Sequence, residues 1–262
     1  MKKKLGLTLS LLLVFGLLTG CSIDNTPITQ ETASGLWETV FVYPLAWFIT
    51  FLYNLFNSNL GFAIIVATAL VRLVLMPIYA KSNKSMAVMQ VIQPEMQRIQ
   101  KKYENKKDQA SQVKMQKEMT DLYKEYNYNP MMGCLLPFLQ MPIFFAFYQA
   151  IYRHPLIQNV DSNFFGIDLA TTQSTANIIL AIIVAGLTLV SQRMMSKSMP
   201  TSKDAPGAAA NNTMMKVMNI YFPFAMFSIT FATNFAFGLY FLTGSIMTIL
   251  QYVIVKRPGA KK

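Results

Sequence analysis

Arg72 is the one charged residue in an apolar run from Leu60 to Ala80, and none of the apolar runs that follow supplies a carboxylate to pair with it. A lone guanidinium in hydrocarbon costs at least ~2.5–3.5 kcal/mol, so such residues usually face a water-filled interior and mark function. Helical periodicity sets Gly61, Thr68, Arg72 and Tyr79 close to one stripe. The other apolar runs add neutral polar groups: Gln140 and Gln149; Thr188, Ser191 and Gln192; Ser228, Thr230 and Thr233; and Tyr240, Thr243, Ser245, Thr248 and Gln251. Together these could line a wet groove whose fixed positive charge attracts acidic segments. Blander roles compete. Arg72 could reach the headgroups, because Lys81 marks the end of the run only ~13.5 Å away, and each neutral polar side chain could bond its own or a neighbouring helix.

Enzyme chemistry finds no support in the sequence. The single histidine, His154, stands beside Pro155 without a Cys or paired acid, so no metal site is expected. The apolar runs after Phe56 hold no Asp or Glu, which excludes carboxylate proteolysis and disfavours proton relays, and Thr243-Gly244-Ser245 has a nucleophile but no base. No cofactor site is visible.

The elements that must position these groups are membrane helices. Over 262 residues, 53% are hydrophobic and only 13% charged, the signature of an all-α polytopic membrane protein. Residues 1–20 combine Lys2, Lys3 and Lys4 with a short apolar stretch, which reads as a signal segment to be removed. It ends in Leu18-Thr19-Gly20-Cys21, which resembles a bacterial lipobox, so Cys21 is the expected lipidation site. Cys134 would then be the only free thiol, in an apolar helix where packing suffices to explain it.

Five spans follow, at 60–80, 131–152, 175–195, 217–233 and 236–255. The run Leu36 to Phe56 is also long enough, but letting it span would put residues 81–130, with ten Lys/Arg, outside. The positive-inside rule rejects that, so residues 21–59 read as a lipidated N-terminus and an outer interfacial amphipathic helix, with Trp37, Phe41, Phe48 and Leu52 on one face. Residues 81–130, 193–216 and 256–262, at the inner side, then collect eighteen Lys/Arg, against Arg153 alone in the outer loop 153–174. This places the N-terminus outside the plasma membrane and the C-terminus in the cytosol. It also explains the net charge of +11 without direct nucleic-acid binding.

Residues 81–130 have a pattern of their own. Met89, Ile92, Met96, Ile99 and Tyr103 recur at steps of three and four, as do Met115, Met119, Leu122 and Tyr126, with polar residues 104–109 between them. This predicts a cytosolic antiparallel helical hairpin, kinked or restarted at Pro94. Its methionines, Met86 included, either form the seam or offer a pliable surface to varied apolar segments. Residues 196–213, with Pro200, Pro206 and Gly207, read as a mobile linker.

Asn129-Pro130-Met131-Met132-Gly133-Cys134-Leu135-Leu136-Pro137, with Gln140-Met141-Pro142-Ile143 and Tyr148, resembles the second-span signature of the YidC membrane protein insertases, which have mitochondrial and chloroplast relatives. Arg72 with Pro77, Gln93-Pro94-Glu95-Met96 and Gly238-Leu239-Tyr240 fit it too, and the lipobox resembles the Gram-positive lipoprotein type. The resemblance implies a non-enzymatic insertase and chaperone for integral membrane proteins, acting through a hydrophilic groove. That groove would open to the cytosol and to lipid and close on the outer side. By position, Arg72 is the groove arginine and Gln140 and Gln192 line it, beside Thr68 of the same stripe and Gln251. Phe241 and Ser245 stand where relatives often carry Trp and Asn. The implied partners are nascent membrane proteins and the bilayer, with the general secretion channel and the ribosome as further candidates. A small-solute transporter or channel is the alternative.

Overall fold

Long apolar runs fold as helices because only a helix satisfies its own backbone groups in lipid. In a computed structural model the described residues are mostly helical. The described residues are 26–106, 108–159, 162–196 and 208–254. The signal segment, Cys21, residues 197–207 of the linker and the basic end 256–262 lie outside them, as do the side chains of residues 131–137, Cys134 included. In chain order the helices are α1 (Gly35–Leu55), α2 (Leu60–Val74), α3 (Met76–Tyr103), α4 (Gln109–Glu125), α5 (Met131–Tyr152), α6 (Pro155–Asn159), α7 (Thr175–Ser196), α8 (Ala208–Ala232) and α9 (Phe235–Ile254). By length and composition α1, α7 and α9 could each cross a membrane, and so could α2 joined to the start of α3. The apolar parts of α5 and α8 are shorter, Phe138–Tyr152 and Asn219–Ala232.

α1 contains a π-helical turn at Glu38–Val42. The wider turn shifts every later residue around the axis relative to α-helical arithmetic, which corrects the expected face. Val42, Ala46, Ile49 and Leu52 are buried, whereas Leu36, Val40, Phe41, Trp47, Phe51 and Leu55 are exposed. Phe41 therefore leaves the face assigned to it, while Leu52 keeps its place.

The contacts of α1 fix its direction. Trp37 Nε1 donates to Gln149 Oε1 at 3.1 Å, Arg153 pairs with Glu38, and Thr50 Oγ1 lies 3.2 Å from His154 Nε2. Residues 37–50 of α1, ~20 Å of helix, thus make these contacts with residues 149–154 at the end of α5, while α1 packs more extensively on α2. α1 crosses the end of α5 and does not run alongside it.

The expected span 60–80 is not straight. α2 and α3 meet at Leu75 with a 55° bend. Pro77, in the first turn of α3, has no N–H to return to Leu73, and the helix axis turns where that bond is missing. Pro94, by contrast, neither ends nor restarts its helix, because α3 runs through it to Tyr103. Its ring is exposed, so the carbonyl it leaves unpaired can be solvated, and packing on both sides holds the helix.

α3 and α4 form a hairpin around Ile92, Met96 and Leu122, with Met89, Ile99, Met119 and Tyr123 against them. Three of the methionines therefore belong to the seam. Tyr126 is exposed and Tyr123 takes its place. Asp108 caps α4 by accepting from Ser111 N at 2.9 Å, and Glu118 accepts from Lys102 and Tyr103 near the tip. α8 begins at Ala208, so the expected linker contributes its last residues to a helix.

Opposite the hairpin, β1 (Asn163–Phe164) and β2 (Ile167–Asp168) make a small antiparallel ribbon that the all-helical expectation did not include. Phe165 and Gly166 both have positive φ, 52° and 83°, the geometry of a tight two-residue hairpin turn. Phe164 seats on α2 where Gly61 lacks a side chain, since a Cβ there would lie 2.2 Å from the ring. Gly61 is thus buried under this ribbon. The same loop caps α9: Phe235 N donates to Thr171 O and Ala236 N to Leu169 O, each at 3.0 Å.

α9 is the hub. It packs most extensively on α7 and α2, and less on α5 and α8. Gly238 lets Leu180 of α7 approach to 2.5 Å from where a Cβ would stand. Its buried residues run from Phe235 through Gly244 and then thin to Gln251. The main core, including Phe147, Phe164, Phe237, Leu239, Tyr240 and Phe241, therefore lies toward the loop end of the bundle.

Candidate functional site: a polar network around Arg72

Where the aromatic core ends, polar side chains from four helices meet. Phe147 and Phe237 stack on Tyr240 with ring centroids 4.7 and 5.1 Å away. The Tyr240 hydroxyl turns from this apolar layer and accepts from Gln140 Nε2 at 3.2 Å. Gln140 Oε1 accepts from the Tyr79 hydroxyl at 2.9 Å.

Arg72 continues the network. Its guanidinium lies 5.5 Å from the Tyr79 ring centre, a cation–π geometry, and Nη1 donates to Thr248 Oγ1 at 3.2 Å. Gln251 Nε2 donates to the Arg72 main-chain carbonyl at 3.0 Å, which ties α9 to the end of α2 just before the bend. The bend lies between the two groups that meet here, Arg72 of α2 and Tyr79 of α3.

Among the described residues no carboxylate lies within ion-pair distance of Arg72. The ion pairs sit elsewhere, at Glu95–Arg98, Lys102–Glu118 and Asp121–Lys124 in the hairpin and Glu38–Arg153 at the loop end. Arg72 is half-buried and held by a hydroxyl and an aromatic face. Neutral partners fix its position without cancelling its charge, which leaves it able to attract an anion.

Of the residues expected to line a groove, Arg72, Gln140 and Gln251 come together. Thr68 is buried beside them in sequence, but its hydroxyl donates to Ile64 O at 2.7 Å and serves its own helix. Gln192 is half-buried on α7 and takes no part in the bonds around Arg72. Gln149 bonds Trp37 at the loop end instead. Thr188, Ser228, Thr233 and Thr243 donate to carbonyls of their own helices, and the hydroxyl of fully buried Thr230 has no partner among the described residues. The blander reading describes Thr68, Gln149, Thr188, Ser228, Thr233 and Thr243. Gly244 was missed: it appears in the sequence only as part of a weak nucleophile motif, yet the guanidinium lies against it. A glycine in a span, at the position facing a large cation, is the signal that could have found it.

A second polar cluster lies at the loop end. Arg153, only 3% exposed, donates to Glu38 and, through Nε, to Thr26 O at 2.8 Å. Burial pushes the Glu38 carboxyl up, but the Ser34 N–H and the Arg153 guanidinium outweigh it and hold the group below its ordinary value. His154 accepts from Leu156 N at Nδ1, so Nε2 carries the proton and points at Ala46 O, 3.3 Å away. Burial pushes this imidazole down to about 4, only partly opposed by the Ala46 carbonyl.

Residues 51–262 match the family model described as 60Kd inner membrane protein. Over the whole chain the sequence is 40% identical to membrane protein insertase YidC 2 of Bacillus anthracis, covering 96% of that protein. The identity is 37% to membrane protein insertase YidC of Oceanobacillus iheyensis, covering all of it, and 36% to membrane protein insertase MisCA of Bacillus subtilis, covering 95%. The chain belongs to the YidC family of membrane protein insertases. It is accordingly a multi-pass bacterial membrane protein, and the transporter alternative finds no support among these relatives. Within this YidC-family chain, the polar network is built by α2, α3, α5 and α9.

Proposed function

We propose that the protein inserts integral membrane proteins by drawing an acidic or polar client segment to Arg72, within a hydrophilic groove of the bundle that opens toward the α3–α4 hairpin. The observation that carries this is the guanidinium held by Tyr79 and Thr248 with its charge uncompensated among the described residues. A positive charge partway into the bilayer shortens the hydrocarbon path of a client's polar segment and attracts its carboxylates, and the client's apolar helix then partitions sideways into lipid. The aromatic core and the loop that caps α9 support closure at the opposite side.

The hairpin end is cytosolic in this reading, with the N-terminus outside, Cys21 lipidated and five spans. Ten Lys/Arg in residues 81–130 support that orientation. The crossing of α1 over the end of α5, with an exposed apolar stripe along its length, supports an interfacial helix in preference to a sixth span. Client segments are the primary partners. The secretion channel and the ribosome are further candidates.

The test is insertion into proteoliposomes of one client with an acidic extracellular segment and of the same client with its acids changed to amides. Arg72→Ala should abolish insertion of the acidic client and spare most of the neutral one, while the protein stays folded. Equal rates for wild type and variant on the acidic client would reduce Arg72 to a headgroup anchor.

A further inference from the structure

We propose that Gly244 is the positioning residue for the Arg72 guanidinium, a seat on α9 whose missing side chain sets where the charge stands. The inference rests on the groove reading of Arg72. A Cβ built on Gly244 would lie 3.1 Å from Arg72 Nη2, 3.8 Å from Cζ and 3.9 Å from Nε. Three atoms of the planar group therefore lie across this one position. The same turn of α9 fixes the other side of the group: Thr248 donates to Gly244 O at 2.8 Å and its hydroxyl accepts from Nη1 at 3.2 Å. The Tyr79 ring is the further neighbour, its centre 5.5 Å from Cζ. The guanidinium thus contacts both an aromatic ring and bare helix backbone.

An alanine Cβ here, 3.1 Å from Nη2, requires the guanidinium to give by a few tenths of an ångström, and the added methyls of valine require more. The moving atoms are the far end of a flexible side chain, so the backbone can stay as it is and the variant can fold. Alanine is also a better helix former than glycine, so Gly244→Ala should not lower thermal stability. What changes is the place of the charge, and the cation–π and Thr248 contacts with it. Valine should displace it further than alanine.

The experiment compares Gly244→Ala and Gly244→Val, in wild-type and Arg72→Lys backgrounds, on the acidic client and its amide counterpart. Insertion of the acidic client should fall in the order Gly, Ala, Val, by about tenfold for valine, the factor that loss of a charge-assisted contact carries. The amide client should be nearly unaffected. In the Arg72→Lys background the valine effect should largely vanish, since lysine has no planar group to seat there. Equal losses on both clients, or in both backgrounds, would make Gly244 a packing residue and overturn the proposal. Full activity of Gly244→Val beside a defective Arg72→Ala would overturn it while leaving the groove reading intact. Normal activity of Arg72→Ala would overturn both.

Discussion

Gln140 shows what a single side chain carries in this bundle. It is the only described side chain bonded to both Tyr79 and Tyr240, and so links α3, α5 and α9 through one amide. Gln140→Leu keeps most of the volume but leaves two tyrosine hydroxyls without that partner, a cost of ~1–3 kcal/mol for each group left unsatisfied. The variant should melt at lower temperature in detergent, and Gln140→Glu, which keeps the acceptor, should lose less. His154 gives a residue-scale prediction of opposite location. Its imidazole is neutral when folded and titrates at about 4, below its ordinary value of 6.5. The unfolded chain therefore takes up a proton first as pH falls, so stability is full above pH ~6.5 and declines toward pH ~4. Glu38, also held low by its partners, adds a loss of the same sign below its ordinary value of 4.5. Melting temperature against pH should show this decline, and His154→Gln should flatten it between ~6.5 and ~4.5. An unchanged slope in that variant would assign the acid sensitivity elsewhere.

At the scale of elements, the hairpin and the bend do different work. α3 and α4 bury a small seam of their own around Ile92, Met96 and Leu122, away from the main core. Leu122→Ala should therefore cost ~2–5 kcal/mol locally, seen as faster proteolysis or hydrogen exchange in α3 and α4, with the bundle helices unchanged. Deleting residues 85–126 should leave the bundle accumulating in the membrane but reduce client insertion; full insertion would make the hairpin a spacer. The salt bridges on this hairpin are exposed and add little to its stability. The bend at Leu75, by contrast, sets the angle at which Tyr79 meets Arg72, so straightening it with Pro77→Ala should weaken the network while adding a backbone hydrogen bond.

The whole molecule divides into two ends of unlike chemistry. The loop end is dense with aromatic packing and fixed by α1, the β-ribbon and the Arg153–Glu38 pair, whereas toward the hairpin end stands Arg72, whose charge no described carboxylate balances. In a Cys134→Ala background, a cysteine at Asn105 should resist membrane-impermeant thiol reagents in intact cells, and one at Asn163 should react. Reaction at Asn105 alone would invert the proposed topology. Cys21→Ala should leave a larger, unlipidated precursor, read by mass spectrometry. The same unmodified N-terminus in both proteins would remove the lipid anchor.

Much of this was legible in the residues. Apolar runs of membrane length, the asymmetry of Lys and Arg, the hairpin periodicity and Arg72 itself depend on composition and spacing along one helix, and the motifs at residues 129–148 and 238–240 already pointed to the family. What one helix cannot encode is which neighbour meets it. The choice of Gln140 and Gln251, and not Gln192 or Thr68, as partners around Arg72 was decided by how α2, α3, α5 and α9 pack. The missing N–H of Pro77 produced a bend where Pro94 did not: both rings are exposed, but Ile92 and Met96 pack into the hairpin seam on either side of Pro94. The π turn at Glu38–Val42 rephased α1 in a way that no fixed period follows. Gly244 is the clearest case: along the chain it is only a small residue, and its role exists because another helix lays a guanidinium against the space where a side chain would be.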